Sequence, residues 1–217
     1  MKKKEIFLFC PFILDGGLEK TLIIYSNYLS KKFNINLITN TQNFKKLNKL
    51  NNLINIINLN NRFLLNFRIL NNLFCIIKLF SIRKSKLVIF SMQDHFFLCL
   101  LKFFKLNFKL IIRTQTAIIN DKNTEEKKIL KKKFFFKNFI TSFYKYADLL
   151  ITFSDQNKKY LKQKIKAKNV KVVYNFFPKF NGKKKIKKTY NVYFVGRLVP
   201  DKDPIFFLKN CIHLNNH

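Results

Sequence analysis

The sequence predicts an α/β fold, a parallel sheet with helices on both faces, and three observations predict it. Short β-branched or aromatic runs alternate with longer stretches of helical period, which is the pattern of repeated βαβ units. Several of the short runs, such as Leu87-Val88-Ile89-Phe90, carry no polar alternation, as a strand covered on both faces requires. The chain is also 48% apolar and 16% aromatic in spite of a formal charge of +32, far too much apolar surface for a disordered polycation.

The elements follow in order. Glu5–Phe12 is the first strand; the segment MKKKEIFLFCPFIL resembles a signal peptide, but Asp15, Gly16, Gly17 and Glu19 follow at once and no small-residue cleavage site appears. Leu18–Lys32 is a helix, because Leu22, Tyr25, Leu29 and Phe33 share one face while Lys20, Lys31 and Lys32 lie off it. Strands are predicted at Ile35–Thr39, Leu53–Leu59, Leu87–Ser91, Lys109–Thr114, Leu149–Ser154 and Val170–Tyr174, with helices at Leu64–Ile82 and Phe96–Phe104 in two of the crossovers. Thr124 opens a further helix, its first turn carrying Glu125 and Glu126 at the positive end of the dipole, that runs with interruptions to Tyr146. Ser154 or Asp155 caps a helix running to Lys166.

At 217 residues the chain has room for one complete domain and part of another. Residues 1–177 form the first domain. Residues 178–189, with Asn181-Gly182 and a lysine run at Lys183–Lys188, read as a linker. A new strand over Asn191–Val195 and a helix over Pro204–Leu214 then begin a second domain in 190–217, expected to be cut off after this first βα unit.

Composition limits what the charge can mean. Lys, Asn, Ile and Phe make up 117 of the 217 residues, beside 3 Ala, 4 Gly and 4 Pro, a bias that matches an AT-rich genome and discounts raw charge as evidence of function. The lysines are spread along the chain, so a nucleic-acid partner is not favoured; an anionic membrane surface suits the Lys-aromatic segments Phe96–Lys105 and Lys131–Lys137 better, although core-facing helices with outward lysines explain them too. The four cysteines form no CxxC pair and only three histidines accompany them, so neither zinc nor disulfides are suggested. Phe63–Phe80 is the most apolar stretch, but Asn66, Arg68, Asn71, Asn72 and Lys78 interrupt it, short of the ~20 apolar residues a membrane span needs. A cytoplasmic protein is expected.

Two loops are placed for ligand chemistry. Gly16 and Gly17 stand between the first strand and its helix, where free N–H groups and the helix dipole can hold an anion, or simply make a tight turn; the segment is neither GxGxxG nor a P-loop. Gly196 ends the last predicted strand, with Arg197 and Lys202 in the loop that follows, where α/β sheets bind ligands and two cations suit a diphosphate.

Taken together, Asp15-Gly16-Gly17-Leu18-Glu19, Ala147-Asp148-Leu149-Leu150-Ile151-Thr152-Phe153-Ser154, Val172-Val173-Tyr174-Asn175 and Val195-Gly196-Arg197-Leu198 with Lys202-Asp203 resemble glycosyltransferase family 4, the group 1 glycosyltransferases. The resemblance spans nearly the whole chain. It implies the GT-B architecture, two Rossmann-like domains facing a cleft, with this chain covering the acceptor-side N-terminal half and the start of the donor-binding half. It further implies transfer, with retention, of a sugar from a nucleotide-diphosphate sugar to a lipid-linked or cell-surface polysaccharide or lipopolysaccharide acceptor at the inner face of the cytoplasmic membrane. Gly16 and Gly17 match the loop that approaches the donor, and Glu19 either orients that loop or is an ordinary first-turn carboxylate. Arg197 and Lys202 match the pair that neutralises the donor diphosphate, where fixed cations stabilise the departing charge. No metal or cofactor is implied beyond the nucleotide-sugar co-substrate. Asn175 matches an asparagine that closes the first domain, and Asp148 and Ser154 read as turn and cap residues.

The departures bear on catalysis. Relatives place a histidine after the fifth strand, where this chain has Arg113-Thr114-Gln115-Thr116. Arg113 is either an anion-binding residue or a surface cation at the strand end. The weak catalytic candidate is His95, the one histidine near the expected cleft, a lone histidine being more often structural or solvent-facing. The paired-glutamate motif of relatives is absent after Lys202, so this chain alone is expected to lack activity. A different class of function, a non-enzymatic α/β domain binding a phosphate, a nucleotide or a polyanion through its basic loops, needs no second domain.

Overall fold

The computed structural model describes residues 3–13, 17–82, 87–114, 138–175, 194 and 203–214. The chain divides into two units, Met1–Phe177 and Pro178–His217. In the first, seven strands form one sheet: β1 (Glu5–Phe12), β2 (Asn34–Asn40), β3 (Ile54–Asn58), β4 (Val88–Ser91), β5 (Lys109–Arg113), β6 (Leu149–Thr152) and β7 (Val170–Val172). All neighbouring pairs are parallel and the order is β3-β2-β1-β4-β5-β6-β7. Every carboxyl end therefore lies along one edge.

Helices cover both faces, and β1 shows why its apolar run is unbroken. Successive side chains point to opposite faces, so Phe7 and Phe9 enter a core closed by α4 (Arg68–Ile82), α5 (Phe96–Phe103) and α6 (Asp155–Gln163) through Leu79, Leu98 and Leu161. Leu8 and Cys10 enter the other core, closed by α1 (Gly17–Leu29) and the one-turn α2 (Phe44–Leu47) through Leu22 and Leu47. The predicted α/β class and the parallel sheet are those of the structure.

Element ends differ where local hydrogen bonds intervene. The single helix expected over Leu64–Ile82 is broken into α3 (Arg62–Leu65) and α4. Asn61 caps α3, its side chain accepting the Leu64 N–H at 3.2 Å, and the Asn66 N–H turns back onto the Phe63 carbonyl. α6 starts as predicted, with Ser154 Oγ accepting the Asn157 N–H at 3.2 Å. It stops before Lys166, which takes a φ of 57° while the Ala167 N–H closes on the Leu161 carbonyl, the left-handed helix ending that satisfies orphan carbonyls. β7 ends early because the chain beyond it turns toward Arg113, as described below. The predicted helix over Thr124–Tyr146 lies mostly outside the described residues, which contain its end as helix over 138–142 and a 3-10 turn, Phe143–Tyr146. The strand predicted at Asn191–Val195 also lies outside them. In the second unit α7 (Pro204–Leu214) has the predicted bounds, and Asp203 Oδ1 accepts the Phe206 N–H at its start.

Asp148 is the turn residue the sequence suggested. Its Oδ2 accepts the Leu110 N–H at 2.7 Å and pairs with Lys102 Nζ at 2.9 Å, fixing the entry of β6 beside β5.

Candidate functional site

The strand order reverses direction at β1, with β2 and β3 on one side and β4 to β7 on the other, so the crevice outside the carboxyl ends of β1 and β4 is the place where open α/β sheets hold ligands. α1 opens there at Gly17. A Cβ built on Gly17 would meet nothing within 4 Å, so open space adjoins the helix N-terminus. Glu19, in the first turn, is only 6% exposed and its Oε2 has no hydrogen-bond partner among the described residues. A buried carboxylate oxygen left unpaired is costly; here it is an acceptor at the crevice with no donor supplied by the described residues. Gly16 lies outside them.

The loop after β4 forms the opposite wall. Gln93 reaches across to β1, its Oε1 accepting the Phe12 N–H at 3.3 Å. Asp94 has a φ of 50° and holds the Arg68 guanidinium, accepting from Nε at 3.0 and 3.1 Å and pairing with Nη2. That pair pins the start of α4 to the crevice. Beneath it, burial, reinforced by the Glu19 and Asp94 carboxylates, pushes the Cys10 thiol far above its ordinary range, so this cysteine is no nucleophile.

His95 faces inward. It is buried, its Nδ1 lies 2.7 Å from Ser91 Oγ, the backbone of Arg113 provides a further hydrogen bond, and its ring stands edge-on to Tyr144 with centroids 5.6 Å apart. Burial lowers its pKa from 6.5 to about 4 against the opposing effects of Asp94 and Arg113. The imidazole is thus neutral and held by these partners.

Arg113 is buried, and among the described residues no carboxylate pairs with it. It is 1% exposed at the end of β5, where Nη1 donates to Tyr25 Oη at 2.6 Å, Nη2 donates to Asn175 Oδ1 at 2.8 Å, and Cζ sits 4.6 Å over the Tyr25 ring. The reading of Arg113 as a surface cation is corrected by this burial. Asn175, read as closing the first domain, accepts from Arg113, and the clamp joins α1, β5 and the chain beyond β7. Arg197 and Lys202, together with Gly196, lie outside the described residues.

The structure thus brings Gly17, Glu19, His95 and Arg113 to one edge of one sheet, on or after the adjacent strands β1, β4 and β5. Sequence reasoning missed Tyr25, read as a core position, and Gln93. It also missed an asparagine network beside the crevice: Asn40 Nδ2 donates to Asn71 Oδ1 at 2.6 Å, Asn71 Nδ2 to the Pro11 carbonyl at 3.0 Å, and the Asn61 N–H to Asn40 Oδ1 at 2.9 Å. The only signal available was Asn density, and the composition bias hides it. Among the described residues no three His, Cys, Asp or Glu side chains converge as a metal site would need, and no helix is long and apolar enough to cross a membrane.

No family model matches the chain, and no curated protein matches it. Among solved structures it is similar to HepE of Anabaena, whose crystal structure is a complex with UDP and glucose, at 15% identity and a TM-score of 0.47 over 79% of this chain and 44% of that one. The chain therefore spans less than half the length of that protein.

Proposed function

We propose that the chain supplies the acceptor-side half of a GT-B glycosyltransferase, acting with a nucleotide-diphosphate sugar on a lipid-linked or surface-polysaccharide acceptor. Four motifs in order support this reading, and the observation that carries it is the crevice at the β1/β4 reversal, where Glu19 Oε2 lies buried with no donor among the described residues, beside the open N-terminus of α1. A sugar or ribose hydroxyl is a donor of the right kind for that oxygen. In this reading Gly16 and Gly17 offer backbone N–H groups to phosphate oxygens at the positive end of α1. Arg197 and Lys202 neutralise the diphosphate, whose charge grows as the sugar departs. His95 is given a structural role in this reading, since its buried ring is held by Ser91 Oγ and the backbone of Arg113. The same reading assigns residues 1–177 to the acceptor side, 178–189 to the linker and 190–217 to the beginning of the donor side.

The test is thermal stabilisation of the purified 217-residue chain by nucleoside diphosphates and nucleotide-sugars at low and moderate salt. A ligand at about 100 times its Kd adds ~2.7 kcal/mol, which raises Tm by about 5–10 °C for a domain of this size. One nucleotide acting at both salt concentrations is the expected result. Equal, salt-labile shifts from every polyanion would favour the non-enzymatic anion-binding alternative instead, and no shift from a cooperatively melting protein would remove the donor-site reading.

A further inference from the structure

We propose that the outer face of α4, headed by the Phe63–Phe67 ring pair, is a docking surface for an anionic lipid bilayer. The helix carries apolar side chains on both faces, with Cys75, Ile76 and Leu79 in the core. Asn71 and Asn72 point inward and are buried, while Ile69, Leu70, Leu73, Phe74 and Ile77 face out, with Ile69 65% and Ile77 63% exposed. Their spacing places them on one stripe. At its head Phe63 and Phe67 are exposed with ring centroids 5.1 Å apart.

The orientation is enforced. Asn71 bonds to Asn40 and to the Pro11 carbonyl, Arg68 is held by Asp94, and Cys75 and Leu79 fill the core. The stripe cannot roll inward without breaking all of these. Five large apolar side chains in one row on a water-facing helix, with two aromatics at its end, mark an interaction surface.

Charge chooses the occupant. Neither α3 nor α4 contains an acid, no Asp or Glu occurs between Lys20 and Gln93, and exposed Arg62 and Lys78 flank the stripe. A second copy would set the Arg62 and Lys78 of one stripe against those of the other. A bilayer with anionic headgroups supplies the opposite sign to the flanking cations and an apolar boundary for the stripe, which is how interfacial helices bind. α5 offers a shorter surface: Phe103 and Phe104 are exposed at its end, but Leu98 and Cys99 are buried and Phe96 packs on Phe97, Phe139 and Phe143; the other expected segment, Lys131–Lys137, lies outside the described residues. Because Arg68 and Asn71 tie the head of α4 to the crevice, a lipid-borne acceptor would arrive at the candidate site; that last step rests on the transferase reading, whereas the docking does not.

The chain has no tryptophan, which makes a clean test. Phe74→Trp and, on the opposite sheet face, Tyr28→Trp each install a single reporter in the full chain. With vesicles of phosphatidylcholine and phosphatidylglycerol, Phe74→Trp emission should shift to the blue and be quenched by brominated lipid, while Tyr28→Trp should not change. The charge-neutral double variant Phe74→Ser/Ile77→Ser, shown folded by its melting curve, should partition about ten-fold more weakly. Equal shifts at both reporters, no shift at either, or unchanged partitioning of the double variant would overturn the proposal. So would a dimer in light scattering that the double variant dissolves, since a second copy would then be the occupant. Vesicle binding and nucleotide stabilisation are separate readouts, so either proposal can fail without the other.

Discussion

Arg113→Ala tests whether the buried clamp holds the first unit together. The guanidinium donates to Tyr25 Oη at 2.6 Å and Asn175 Oδ1 at 2.8 Å and stacks on the Tyr25 ring. Hydrogen bonds from a charged donor are worth about 1.5–3 kcal/mol each and a desolvated cation–π contact about 2, so roughly 5–8 kcal/mol of interaction is removed. Against this, a buried charge with no carboxylate among the described residues carries a desolvation penalty of several kcal/mol that truncation releases. The net loss should be about 2–4 kcal/mol, read in urea unfolding as a midpoint lowered by about 1–2 M. Arg113→Lys should do no better than alanine, because an ammonium keeps the buried charge and cannot span both partners. A double-mutant cycle with Asn175→Ala should show coupling above about 0.5 kcal/mol. If Arg113→Ala costs under about 1 kcal/mol, or lysine substitutes freely, the clamp is not what anchors the chain beyond β7.

Three further outcomes follow from the geometry. His95 is depressed to about 4 in the folded protein from 6.5, so the unfolded chain binds the extra proton between those values; stability should be complete above pH 6.5 and fall by about 3 kcal/mol as pH drops to 4, and His95→Gln should flatten that slope in pH-dependent melting. Ser154→Ala removes the cap of α6 and should cost about 1 kcal/mol, with Ser154→Asp close to neutral, measured by chemical denaturation. Among the cysteines, Cys10, Cys75 and Cys99 are buried, with burial raising the Cys75 thiol to about 12, while Cys211 is partly exposed; thiol titration of the native chain should show one fast group, lost in Cys211→Ser, and three that react only on unfolding.

The sheet was legible because its strands are buried on both faces, and runs such as Leu87-Val88-Ile89-Phe90 leave no other reading. Helix α6 was legible through its serine cap. The interruption at Asn66 was less so, because an asparagine in a chain with 27 of them carries little signal until its partners are known. α2 escaped notice since Phe44-Lys45-Lys46-Leu47 is too short to show a period. At the site, residue identity located the edge of the sheet but not the direction of side chains. Arg113 and His95 stand on or just after strands that end in the crevice, yet both turn into the protein, and only the partners Tyr25, Asn175, Ser91 and Tyr144, distant in sequence, decide that.

The asparagine network at the β1–β2 side of the crevice contains no titratable group, whereas the β4–β5 side depends on a neutral His95 and a buried Arg113. The two flanks of one sheet therefore respond differently to solution conditions. Amide-to-amide and amide-to-carbonyl bonds neither titrate nor weaken as salt screens charge, so Asn40, Asn61 and Asn71 should hold β1, β2 and α4 in place through mild acid. The flank around His95 should open first. Acid would then loosen the molecule like a door hung on its uncharged side, and amide exchange near pH 5 should rise in β4 and β5 before it rises in β2.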